Sequence, residues 1–340
     1  ILNIIDEVAP KRGQGASVGM YILTAAINRA VSPTSTNGLK AWYEKTSLPY
    51  MTGLKPALFT PQNFWNNTGI TVEQLRTIED RIFQKSIRMF GINANDLIYD
   101  ATNFFTYIDT MNPSGLAKRG HDKAKRNDLK TVGLALLVTP DFSVPVLSEA
   151  YPGNRGDSTQ FSNMMEQLKL RYRAIVGKDA QITIVFDRGN NSESNLDLLE
   201  SEGLGFHYVG GLKKNQVAEL YAVPKSSYKP LACPEDAPEK YESLTTYRMR
   251  AAVLGREATT VIVYNPELEK GQLQGIQANI EKTKSELLEI QGKLFKRSKG
   301  ELKKGKKPTF ERVSKAVSKI LARREYMDDI FEYEILEKDN

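Results

Sequence analysis

Two apolar segments that each run into an aspartate constrain this chain more than any other feature: Leu97-Ile98-Tyr99-Asp100 and Ile182-Thr183-Ile184-Val185-Phe186-Asp187. Both read as buried strands. A carboxylate at the end of such a strand is costly to desolvate unless it is paired or holds a cation. Two of them on neighbouring strands begin an oxygen-ligand site for Mg²⁺ or Mn²⁺. For either aspartate alone, the plain alternative is a cap or turn residue.

The segments around them set a definite order. The stretch from Leu97 through Phe104 and Tyr107 is β-rich, Thr131–Val138 is an apolar run, and Val144–Tyr151 follows the turn at Thr139-Pro140-Asp141. Short turns between such runs imply antiparallel neighbours. From Ser158, the residues Phe161, Met164, Met165, Leu168 and Tyr172 recur at helical spacing. The strand ending in Asp187 comes next, then a helix over 192–201 and a fifth strand, Phe206–Gly211. Three antiparallel strands, helix, strand, helix, strand is the order of the ribonuclease H-like fold, an α/β architecture with a mixed five-stranded sheet. Its first and fourth strands are neighbours, so Asp100 and Asp187 are expected side by side.

On either side the pattern changes. Residues 16–32, 36–45 and a segment from Thr71 read as helices, so 1–90 is expected to be a helical domain that either binds DNA or supports the core. The core spans 91–214, and 215–340 forms an insertion. Within it, Pro224 to Pro238 is a linker, and 246–264 is a β-hairpin turning at Leu254-Gly255-Arg256. Leu273, Ile276, Ile280, Thr283, Leu287, Ile290 and Leu294 then alternate at spacings of three and four, a coiled-coil seam. Phe310, Val313, Val317, Ile320 and Leu321 return as a second amphipathic helix. Residues 268–322 therefore predict a helical coiled-coil hairpin, with a lysine-rich tip from Lys296 to Lys307. Phe331–Leu336 reads as a strand.

Composition narrows the function classes. The net charge of +6 over 340 residues favours an anionic partner, nucleic acid first. A single cysteine, Cys233, excludes an internal disulfide and fits a reducing cytoplasm, while His121 and His207 are too few for a zinc site. No apolar run approaches the ~20 residues of a membrane helix, and no secretory signal is visible. No P-loop or G-x-G-x-x-G follows a strand, and neither histidine sits in the context of a serine hydrolase.

The chain resembles the DDE-type transposases of bacterial insertion sequences, in the branch with a large insertion after the fifth core strand. The resemblance rests on Asp100-Ala101-Thr102-Asn103, on Gly120 through Leu129, on Tyr151-Pro152-Gly153-Asn154-Arg155-Gly156-Asp157, on Phe186-Asp187-Arg188-Gly189-Asn190, and on Asn265-Pro266-Glu267-Leu268. It implies a DNA transposase with Asp100 and Asp187 as catalytic metal ligands, Mg²⁺ or Mn²⁺ as cofactor, DNA as partner at transposon ends and target, and a homodimer on that DNA. Lys118, Arg119, Lys123, Lys125 and Arg126 in one loop, with Arg155 and Arg188 beside the aspartates, suit phosphate contacts. The family's third acidic residue, a glutamate in a Tyr-x-x-Arg-x-x-x-Glu-x-x-x-x-x-x-Lys pattern, has no counterpart; Glu325, Glu332, Glu334 and Glu337 lack that setting. The expectation is a chain truncated before that glutamate, and at its N-terminus, where it begins at Ile1. Its activity alone is expected to be absent. The rivals are a catalytically dead DNA-binding remnant and another ribonuclease H-like nuclease such as a resolvase.

Overall fold

The computed structural model describes the chain except residues 12, 110, 121–125, 127, 177–180, 202–205, 214–215, 218–219, 221, 236, 304, 306 and 337–340; at 157–158 and 172–176 it describes the backbone alone. The chain forms two compact units, Ile1–Val217 and Ala218–Asn340.

The first unit opens with six helices: α1 (Leu2–Val8), α2 (Val18–Val31), α3 (Thr36–Glu44), α4 (Leu48–Thr52), α5 (Pro61–Asn67) and α6 (Val72–Phe90). Their starts follow from local chemistry. The Ser17 hydroxyl accepts the Met20 N–H, and Thr71 forms a reciprocal capping box with Gln74. Ile5, Ala9, Val18 and Ile78 make one core cluster; Ala16, Tyr21, Tyr43 and Phe59 make another.

Five strands follow: β1 (Asp96–Thr106), β2 (Lys130–Val138), β3 (Pro145–Pro152), β4 (Thr183–Phe186) and β5 (His207–Gly210), with α7 (Asp157–Val176) and α8 (Glu193–Glu200) between the later ones. The sheet order is β3-β2-β1-β4-β5. β1, β2 and β3 pair antiparallel, while β4 runs parallel to β1 and β5 parallel to β4. This is the ribonuclease H-like core. Phe161 of α7 meets Tyr99 and Phe186 edge-on, each with ring centroids 5.0 Å apart, so these neighbouring strands share one buried anchor. Arg171 of α7, only 13% exposed, ties back to α6 by ion pairs to Asp80 at 2.6 Å and Glu79 at 3.2 Å.

Glycine permits one close approach that matters. A Cβ on Gly153 would stand 2.1 Å from the Thr131 carbonyl oxygen, and one on Gly120 would stand 1.9 Å from the Gly153 carbonyl oxygen. Lys118 and Thr131 exchange backbone hydrogen bonds of 3.1 and 2.8 Å in the same place. The loop after β1 is thereby stacked on the turn after β3.

The second unit has a three-stranded sheet in the order β6-β7-β8, formed by β6 (Lys229–Pro230), β7 (Thr245–Val253) and β8 (Arg256–Tyr264). Leu254 and Gly255, at φ 48° and 72°, make the two-residue turn between β7 and β8. Then come α9 (Pro266–Ser298), α10 (Phe310–Leu321) and α11 (Met327–Ile330). The buried Val317, Leu321 and Met327 pack with Ile280, Leu287, Ile290 and Val313. Thr283, the polar seam position, is fully buried, and its hydroxyl accepts a hydrogen bond from Arg324 at 3.1 Å. Arg324 also binds Glu286 at 2.6 Å and, with Arg323, holds that carboxyl below its usual range.

Two expectations are corrected here. The seam is partnered along only part of α9: Leu273 is 58% exposed, because α10 has 12 residues against 33 in α9 and Arg324 just beyond it sits level with Thr283. Phe331–Leu336 carries no strand pairing; it lies along the groove lined by Leu287, Ile290, Leu294 and Val317, with Phe331 packed against the helices and Tyr333 exposed.

Candidate functional site

The register between β1 and β4 builds the site. Ile98 pairs with Val185 and Tyr99 with Phe186, and the ladder stops there. Asp100 and Asp187 are the next residues on the two strands. Paired strands lie about 5 Å apart, and side chains alternate between faces. Tyr99 and Phe186 meet Phe161 of α7; Asp100, next in β1, takes the other face, and Asp187 follows directly after β4. Both aspartates are exposed there.

Two details of the site depend on the structure. β1 runs past Asp100 to Thr106, in line with the β-rich stretch read through Tyr107, and is paired with β2 from Ile98 on, while only its β4 edge is vacated at that level. The carboxylates are not buried, since α7 covers the opposite face. The cost of desolvation therefore does not arise. What remains is two exposed carboxylates, each directly after the last residue that pairs β1 with β4.

The Asp187 carboxylate is held in place. Its Oδ1 accepts the Gly189 N–H at 3.0 Å and the Asn190 side-chain amide at 2.8 Å. Asn190 is itself buried, and its carbonyl accepts the Asn195 amide at 2.7 Å. Asn195, 1% exposed, takes the Ser162 hydroxyl of α7 at 3.0 Å. Asn191 donates to the Gly211 carbonyl at 2.9 Å, joining the loop to the chain after β5. Asp100 has a lighter hold: its Oδ1 accepts the N–H of Ala101 at 2.9 Å. Among the described residues, Oδ2 of neither aspartate takes a hydrogen bond. Sequence reasoning assigned no role to Asn190, Asn191, Asn195 or Ser162. The one available signal was the Asn-Asn pair after Asp-Arg-Gly, which reads as an ordinary turn.

The basic residues fall at the same end of the sheet, in the loops that follow β1, β3 and β4. Lys118, Arg119 and Arg188 are exposed. Arg126 is engaged by Asp128 at 2.8 Å, which holds the Asp128 carboxyl down to about 2 and raises the guanidinium further. Arg155 is half-buried and donates to Gln160 at 2.9 Å. Lys123 and Lys125 lie outside the described residues, as does Glu337. Among the described residues, no group of three or more His, Cys, Asp and Glu side chains is gathered to hold a metal. Glu325, Glu332 and Glu334 belong to the second unit. Two hard carboxylate donors fit Mg²⁺ or Mn²⁺ as part of a ligand set. No described helix is long and apolar enough to cross a membrane.

The Transposase DDE domain family matches residues 94–319, which spans β1 to α10. No curated protein matches the chain. Among solved structures, the piggyBac transposase synaptic complex with hairpin DNA is similar at 13% identity and a TM-score of 0.34, covering 77% of this chain and 57% of that one. The Mos1 transposase paired-end complex with left transposon end is similar at 12% identity and a TM-score of 0.23, covering 58% and 60%. The Mos1 mariner paired end complex with Mn is similar at 11% identity and a TM-score of 0.24, covering 60% and 62%. This chain thus spans less than two thirds of each of those chains.

Proposed function

Because this chain belongs to the transposase DDE domain family, we propose that Asp100 and Asp187 jointly bind a divalent cation and direct attack on DNA phosphodiesters at transposon ends. The observation that carries this reading is the β1–β4 register, which ends at Tyr99 and Phe186 with an aspartate next on each strand. Bound there, Mg²⁺ or Mn²⁺ supplies a Lewis acid and lowers the pKa of a nucleophilic water or 3′-hydroxyl. Asp187 would hold the ion through Oδ2, since Gly189 and Asn190 occupy Oδ1. Asp100 offers its own Oδ2 from the neighbouring strand. Lys118, Arg119, Arg155 and Arg188 take phosphate oxygens, which fixes the register of the duplex without reading its bases. Lys123 and Lys125 of the same loop have the charge to add to that contact, and Arg126 joins it by exchanging Asp128 for a phosphate oxygen. The unit acting on two ends is a homodimer, in the cytoplasm.

The third acidic ligand is not among the described residues gathered at this site. The chain alone is therefore expected to bind duplex DNA without transposing it. The same shortage of carboxylates favours a second reading, a DNA-binding protein that does not cut. Cleavage of a labelled element end in Mg²⁺ separates the two. Cutting that is lost in Asp100→Asn and in Asp187→Asn establishes the enzyme and a further ligand, with Glu325, Glu332, Glu334 and Glu337 the first residues to replace. Cutting that survives both substitutions contradicts the site.

A further inference from the structure

The positive charge of this chain is concentrated in one place. Residues 296–307 hold seven basic side chains and one acidic one, a net of +6, equal to the net +6 of all 340 residues. The remainder of the chain has equal numbers of acidic and basic groups. The described members of this stretch are Lys296, Arg297, Lys299, Lys303 and Lys307, at the turn between α9 and α10, with Arg312 just inside α10. Lys296, Lys299, Lys303, Lys307 and Arg312 are exposed. Among the described residues none of these four lysines makes an ion pair.

Helix electrostatics account for only part of this. Lys296 and Arg297 lie in the last turn of α9 and Lys299 is its C-cap, where cations are favourable. Lys303 and Lys307 precede Thr309, the N-cap of α10, where the helix end is positive and favours anions. They gain nothing from the fold at that position and repel one another. An external polyanion removes the repulsion.

We propose that this tip is a second DNA-binding surface, separate from the carboxylate site, that grips the phosphate backbone of a duplex regardless of its sequence. This rests on the transposase reading for its choice of polyanion. The tip has the donors for phosphate and little else: lysine ammonium groups at an exposed turn act as point charges and release counterions from the duplex. Phe295, 58% exposed with Lys299 4.6 Å above its ring, adds an apolar surface next to the charge.

The test is salt-dependent binding of the full chain to a labelled duplex of arbitrary sequence. The variant carries Lys296→Gln, Lys299→Gln, Lys303→Gln and Lys307→Gln together. Its control carries the same change in charge at Lys229, Lys240, Lys270 and Lys282, which are exposed in the same unit. Every lysine–phosphate pair removed lowers the slope of log affinity against log salt by about 0.9, so the slope of the tip variant should fall by about 3 to 4 and that of the control by much less. Circular dichroism should show unchanged helix content in both. Equal reductions in the two variants, or none in the tip variant, would overturn the proposal. So would tip-dependent capture of phosphatidylserine vesicles with duplex binding intact, which would assign the tip to a membrane surface. Mn²⁺ binding, measured in parallel, keeps the two claims apart. Failure to bind metal with an intact tip effect refutes the catalytic reading alone, and the reverse refutes this inference alone.

Discussion

The β1–β4 centre and the α9–α10 hairpin concentrate charge in opposite ways. At the centre, strand register brings Tyr99 and Phe186, from distant parts of the sequence, to one level with an aspartate following each, and both rings pack on Phe161 of α7. In the hairpin, lysines already adjacent in sequence are displayed by a local turn between two helices. The first arrangement depends on tertiary structure and can set geometry to fractions of an ångström. The second survives considerable looseness, which suits binding to a uniform backbone but not chemistry at one bond.

The comparison can be broken most easily at the sheet. Phe161→Ala removes a fully buried ring beneath both aspartate-bearing strands. It should cost about 4 kcal/mol in chemical denaturation and reduce Mn²⁺ binding with it. Gly153→Ala should cost about 3 kcal/mol, because the new methyl would meet the Thr131 carbonyl oxygen at 2.1 Å and neither backbone can retreat freely. The hairpin should respond less. Glu286 is held below the usual carboxylate range chiefly by Arg324. Its contribution is present above its unfolded pKa and fades as pH falls through the lower folded value. Thermal melts of Glu286→Gln and the parent should therefore differ at neutral pH and converge in acid. Smallest of all is Leu273→Ala, at a seam position 58% exposed, which should shift stability by less than about 0.5 kcal/mol. A destabilisation as large as that of Phe161→Ala would show that α9 has a partner along that stretch.

Much of this fold was legible in the sequence because its elements announce themselves locally. The apolar run of β2, the phase of Phe161, Met164 and Leu168, and the helical patterns of 16–32 and of the segment from Thr71 each point to the element that forms. The order of strands then led to the expectation that β1 and β4 are neighbours, as they are. Three things were not legible. Where β4 stops pairing with β1 depends on a loop whose geometry comes from buried amides, and Asn190 reads as an ordinary turn residue and Asn195 as an ordinary helix position. The exposure of both aspartates depends on which face α7 covers. The unpartnered part of α9 depends on where α10 stops, which the heptad pattern of α9 alone does not contain.

The central claim is that Asp100 and Asp187 share one cation. Titration of Mn²⁺ into the full chain, followed by electron paramagnetic resonance, tests it directly. The account expects one class of site that weakens at least about tenfold in Asp100→Asn and equally in Asp187→Asn, with duplex binding retained in both. Mn²⁺ affinity that is unchanged by either single substitution would contradict it.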